Sequence, residues 1–293
     1  MSLTIGSSTP SATGSSPVAP ADSRSGSPSF LGRHAWLVVL VVGVALFLAV
    51  ERTMVATQNP NFVPSAILLG AGTVPMAFLT FVYGRRLPYH VPVPVVALAG
   101  FLGGVIGIVV AGTLEFDAMR DLGVLPLVAV GLIEETSKLL IPLAVLVLVP
   151  RYRTRADGLL LGVAVGAGFA ALETMGYAFT TLVQSKGSVT DTVDVLLLRG
   201  VMSPAGHMAW TGIAAAALFA AAASGWQRRG VVEFVLVFTV SVILHTLWDS
   251  QRSLIGTVVV AVVSLAVLGA TVHRAAAQPP AIGGRAVTSL VVG

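Results

Sequence analysis

The sequence predicts an all-α polytopic transmembrane helical bundle of about eight spans, and three observations carry that expectation. Hydrophobic residues fill 55% of the 293 positions while charged ones fill only 10%, against roughly 25% charged in soluble domains. The mean hydropathy is +0.91. Apolar stretches near the ~20 residues that cross a bilayer recur along the chain. A soluble fold of this length needs a polar shell that this composition does not supply, whereas lipid solvates apolar surface directly. Cysteine is absent, which removes disulfides, thiolate metal sites and cysteine nucleophiles together. The formal charge of +4 comes without a basic run or an aromatic-interleaved patch, so nucleic acid is not an expected partner; the lipid bilayer is.

Residues 1–34 are rich in Ser, Gly and Pro, lack helical periodicity and lack the basic start and apolar stretch of a signal peptide. They are expected to form a disordered cytoplasmic tail. The membrane domain is expected over 35–273, with apolar segments near 35–50, 62–83, 91–112, 122–149, 157–183, 200–223, 231–250 and 254–273, and a short cytoplasmic tail over 274–293. Lys and Arg set the orientation, because cytoplasmic loops are enriched in them. Eleven, among them Arg33, Arg85, Arg86, Arg153, Arg155, Arg228 and Arg229, fall on one side, and five (Arg52, Arg120, Lys186, Arg199, Arg252) on the other. The second side also carries Glu115, Asp117, Asp121, Asp191 and Asp194. Both termini are therefore expected in the cytoplasm of a multi-pass plasma membrane protein. Small-residue ridges at four-residue spacing let helix backbones approach in lipid, and three occur: Gly100/Gly104 with Gly103/Gly107, then Gly158/Gly162/Gly166/Ala170, then the Ala run from Ala214.

The fourth segment holds Glu134, Glu135 and Lys138 within five apolar-flanked residues. A charged group at a helix centre costs about 2.5–3.5 kcal/mol on insertion scales, so these three must face protein or water. Glu134 and Lys138 are four apart, the spacing of a helical ion pair; Glu135 is left without this partner and suits a general base or acid. Glu173 lies on the small-residue face of the fifth segment. The sixth supplies His207, behind Pro204. The seventh supplies His245 and Asp249, four apart, so the carboxylate can fix which imidazole nitrogen is free. At 1.5 Å per residue, Glu134 and Glu173 fall about 18 and 15 Å from the outer ends of their helices, and His207 and His245 about 10 and 8 Å. Four helices thus put their polar groups in the outer half of the bilayer.

Glu134-Glu135-x-x-Lys138, Phe169-Ala170-x-x-Glu173, His207 and His245-x-x-x-Asp249, in this order on successive helices, resemble the PrsW family of intramembrane proteases, which belongs with the CAAX-prenyl endopeptidases and bacteriocin-immunity membrane proteins in one superfamily. The resemblance covers roughly residues 35–273, and it departs at Thr174, where the family commonly has Asn. It implies an intramembrane endopeptidase that cuts a membrane protein or peptide near the extracytoplasmic face, an anti-sigma factor in the best-known member. It further implies that Glu134 or Glu135 activates water, that His207 and His245 stabilise the oxyanion or hold a metal with Glu173, that Asp249 orients His245, and that Lys138 balances the carboxylates. Zinc is compatible with the His and carboxylate donors, but the related prenyl endopeptidases activate water without it, so no obligatory cofactor is expected. A proton-coupled transporter or channel is the main alternative, and a non-enzymatic immunity or scaffold protein the second. A transporter needs polar groups along a path to both faces, and the cytoplasmic half of this chain is nearly bare of them.

Overall fold

The computed structural model describes residues 30–85 and 87–277, with side chains from His34 onward; most of both expected tails, and with them Arg24, Arg86 and Arg285, lies outside the described residues. Every regular element among the described residues is helical: α1 (Phe30–Thr57), α2 (Val63–Tyr83), α3 (Val93–Leu122), α4 (Leu127–Lys138), α5 (Leu140–Leu148), α6 (Arg155–Gln184), α7 (Val189–Met202), α8 (His207–Ala223), α9 (Arg228–Ser250) and α10 (Leu254–Ala276), with single 3-10 turns at Pro60–Phe62 and Ser203–Ala205. Local chemistry sets the boundaries. Pro near the first turn opens α2 and α3, and Thr154 and Asp157 form a reciprocal capping box on α6. Ser188 and Ser253 cap α7 and α10, and Gly123 at φ 69° ends α3 in the left-handed conformation that a Cβ disfavours.

Among the described residues, seven stretches are long and apolar enough to cross a membrane, by length and composition: α1, α2 with its preceding turn, α3, α6, the run from α7 through α8, α9 and α10. Two elements differ from the expected segments. The stretch expected as one span over 122–149 is broken at Leu139 into α4 and α5. Pro142 has no N–H to give the Lys138 carbonyl, and its ring crowds that oxygen. The Leu139 N–H turns instead to the Thr136 carbonyl at 3.1 Å. The segment expected to begin at 200 begins as α8 at His207, because Pro204 sits in the 3-10 turn before it, and the preceding residues form the separate helix α7.

Helices α6 and α8 are the heart of the bundle. Their membrane-spanning stretches are 72% and 94% buried, against 6% for α1 and 22% for α9 and α10, whose Val and Leu faces lie exposed, as lipid permits. The predicted α6 ridge packs on α8, whereas the predicted α3 ridge packs on another face of α6, at Ala164 and Gly168. Gly158, Gly162 and Gly166 of α6 lie against the carbonyls of Ala215, Thr211 and His207 of α8, and Gly168 lies against Gly100 and Gly104 of α3. At Gly104 an added Cβ would stand 2.6 Å from the Gly168 carbonyl carbon, so these backbones come as close as they do only without side chains. This register has a functional consequence: Gly166 against His207 brings the first turn of α8 beside the Ala170–Glu173 turn of α6. On the opposite flank, a Cβ added at Gly131 of α4 would stand 3.2 Å from the Val242 carbonyl oxygen and 3.0 Å from Thr246 Oγ1 of α9, a close approach that brings the turn after it onto His245.

Candidate active site

The break after Lys138 leaves the last turn of α4 inside the bundle, and its three ionisable side chains are the centre of the site. Lys138 and Glu135 are fully enclosed, His245 is 1% exposed, and Glu134 and His207 are buried. Lys138 Nζ donates to Glu134 Oε2 and to Glu135 Oε1, both at 2.9 Å, and stands 2.8 Å from His207 Nδ1 and 4.0 Å from the Phe169 ring centroid. Gly107 of α3 leaves room for both the Phe169 ring and the lysine stem. An ammonium has only donors, so His207 Nδ1 must accept, and the ring hydrogen belongs on Nε2. That nitrogen lies 2.7 Å from Glu173 Oε2, which also lies 2.6 Å from Arg199 Nη2; these are charge contacts rather than aligned hydrogen bonds. His245 Nδ1 is 3.0 Å from Glu135 Oε1, while its Nε2 faces Glu134 Oε2 at 3.5 Å and Asp249 Oδ2 at 3.4 Å. Trp210 of α8 stacks on His245 at 4.8 Å, and its indole N–H is tied to Ser264 Oγ of α10 at 2.9 Å, so the imidazole has a fixed wall.

All seven residues expected from the sequence, Glu134, Glu135, Lys138, Glu173, His207, His245 and Asp249, therefore gather in one chamber from α4, α6, α8 and α9. Three local expectations change. Glu135 is not left apart from Lys138, because the long lysine stem reaches both carboxylates, one at i−4 and one at i−3. The firmer partner of His245 is Glu135, not Asp249, since the contact across helices is shorter than the one along α9. Arg199, counted among the outer loop charges, belongs to the chamber through Glu173. Its signal was present: a lone Arg directly after Leu196-Leu-Leu198 inside a helical stretch. Thr211 also reaches the chamber, at 3.5 Å from Glu135 Oε2.

A cavity of about 320 Å³ opens beside this cluster between α3, α4 and α6, with Glu134, Glu173 and Glu115 among its lining and the small residues Ala111, Gly112 and Gly176 along its sides. Glu134 faces this space; Glu135 is enclosed behind it. Glu115 was also counted as a loop charge, yet it follows Gly107 and Ala111 at four-residue steps, on the face that α3 turns toward the bundle. One of its carboxylate oxygens is buried there without a hydrogen-bond partner.

Donor atoms of Glu134, His207 and His245 lie within 4.8 Å of one another, the arrangement that could hold a metal ion among the described residues. Two imidazoles and one carboxylate form a donor set of catalytic zinc sites. His207 and His245 also have a carboxylate on the nitrogen away from the cluster, Glu173 and Glu135, as ligating histidines commonly do. The residues thus fit such an ion, although the carboxylate completing the set is Glu134, whereas the sequence pointed to Glu173.

A family model described as PrsW family intramembrane metalloprotease matches residues 91–272, well over half of the chain and every residue of the chamber. No curated protein and no solved structure matches. With polar motifs in order along α4, α6, α8 and α9, a buried chamber where they converge, and this match, the chain belongs to the PrsW family of intramembrane proteases.

Proposed function

We propose that this protein cuts a peptide bond of a membrane-anchored protein in the outer half of a bacterial plasma membrane, with Glu134 activating the water and both chain termini in the cytoplasm. The observation that carries the reading is that Glu134 is the carboxylate of the pair that faces the cavity while lying near the imidazoles of two other helices. The substrate backbone lies along the cavity between α3 and α6, where Ala111, Gly112 and Gly176 leave space for an unwound segment. A water held between Glu134 Oε2 and His245 Nε2 loses its proton to Glu134 as its oxygen attacks the scissile carbonyl. The Lys138 ammonium, close behind the same carboxylate, offsets the negative charge that develops. The C–N bond then breaks, and the proton on Glu134 passes to the departing amine, leaving a carboxylate and an amine. Glu135 holds His245 through Nδ1, Trp210 fixes the ring from its face, and Glu173 with Arg199 holds His207. Glu134, His207 and His245 are the residues that would hold a zinc ion, and such an ion would supply Lewis-acid activation of water in place of the free Glu134 carboxylate.

The test is cleavage of single-span membrane peptides by the purified chain in lipid nanodiscs. E134Q is expected to lower the rate by about 10²-fold or more while leaving the protein folded. Cleavage by E134Q at the parent rate contradicts the assignment; ion flux without cleavage by the parent protein contradicts the protease chemistry altogether.

A further inference from the structure

Lys138 does more in this chamber than pair with a neighbour on its own helix. Its nitrogen contacts Glu134 Oε2 at 2.9 Å and His207 Nδ1 at 2.8 Å, two atoms that are themselves 4.0 Å apart. Both residues belong to the group of three able to hold a metal ion, and the other nitrogen of His207 is already against Glu173. The ammonium is therefore lodged among the donors that an ion would need. Its third contact, Glu135 Oε1 at 2.9 Å, and the Phe169 ring at 4.0 Å close the remaining directions, and the side chain is wholly enclosed. Zinc bonds to oxygen and nitrogen at about 2.0–2.2 Å, closer than the ammonium sits, so an ion on the same two atoms falls within contact distance of Nζ. Two cations cannot share that space in a low-dielectric interior.

We propose that the Lys138 ammonium and a metal ion are alternative occupants of one donor set, so that the lysine acts as the built-in cation of the chamber and excludes the metal until its side chain withdraws. The charge that zinc would supply is then already present in the metal-free fold, and removing Lys138 turns the chamber into a metal site that needs its ion to be stable.

The full chain in detergent or nanodiscs tests this through zinc affinity, by competition with a chromogenic chelator, and through thermal unfolding with zinc, magnesium or EDTA. Methionine keeps most of the lysine stem without its charge. K138M is expected to bind one zinc ion on the order of a hundredfold more tightly than the parent. Its unfolding temperature should rise by several degrees with zinc and not with magnesium, while EDTA leaves the parent unmoved. The double variant E135Q/K138M removes one carboxylate together with the ammonium and spares Glu134, His207 and His245, so it carries the test if K138M alone does not fold. A parent protein that holds zinc as tightly as K138M, or that loses stability in EDTA, overturns the proposal. So does a double variant that gains no zinc affinity. None of these readouts depends on finding the substrate, so the proteolytic assignment and this one fail separately.

Discussion

At the scale of single residues, the site is a chain of shared partners. One carboxylate oxygen of Glu173 serves both the His207 imidazole and the Arg199 guanidinium, and both Glu173 and Arg199 are mostly covered. Replacing Arg199 by Leu leaves Glu173, and through it the His207 imidazole, without the outer guanidinium that balances the carboxylate. Because both side chains retain some exposure, the expected loss of stability is about 1–3 kcal/mol, below that of a fully buried pair. The double variant E173Q/R199L should recover most of it, as thermal unfolding of the four proteins of the cycle will show; simple addition of the two losses would mean that the residues do not act together. The sequence disclosed part of this network and not the rest for a physical reason. Glu134 and Lys138 share a helical face, so their pairing follows from spacing alone. The Glu135–His245 and Glu173–Arg199 contacts join residues on different helices, and no periodicity within one helix encodes them.

Among elements, glycine decides how close the helices come. Gly104 of α3 meets backbone, not a movable side chain, at Gly168 of α6, so a methyl group there must push two helices apart. G104A is expected to cost about 1–3 kcal/mol and to lower cleavage as well, since α3 and α6 are two walls of the cavity. Gly72 in α2 has nothing within 4 Å of an added Cβ, so G72A is the matched control, expected to be neutral or up to about 1 kcal/mol stabilising. Equal unfolding temperatures for the two variants would dismiss the close-approach argument. The ridges themselves were legible as runs of small residues at four-residue steps, but which ridge meets which was not. The break at Leu139 was foreshadowed by Pro142, yet hydropathy averages over a proline and reads the stretch as continuous. Helix α7 was missed because Thr190, Asp191, Thr192 and Asp194 lower the hydropathy of its first half, although Ser188 is an ordinary helix cap.

For the whole molecule, burial divides the bundle into two enclosed helices, α6 and α8, and a lipid-facing belt that includes α1, α9 and α10. Glu173 and His207 stand on the enclosed pair, while α4, stopped short by Pro142, and α9 bring the remaining groups from the flanks. The fold class and the order of the polar motifs followed from hydropathy and the cost of burying charge. Among the described residues seven stretches are long and apolar enough to cross unaided, and the broken pair α4 and α5 occupies the place of the remaining predicted segment. Convergence of residues far apart in the chain is the claim on which the account depends, and Glu135 and His245, which stand 110 positions apart, express it best. Cleavage rates of E135Q, H245Q and the double variant, measured on one substrate, test it most directly. If the two residues work as one unit, each single change lowers the rate by about 10²-fold and the double variant is no slower than the slower single. Losses that multiply in the double variant, or single variants as fast as the parent, would contradict a shared chamber.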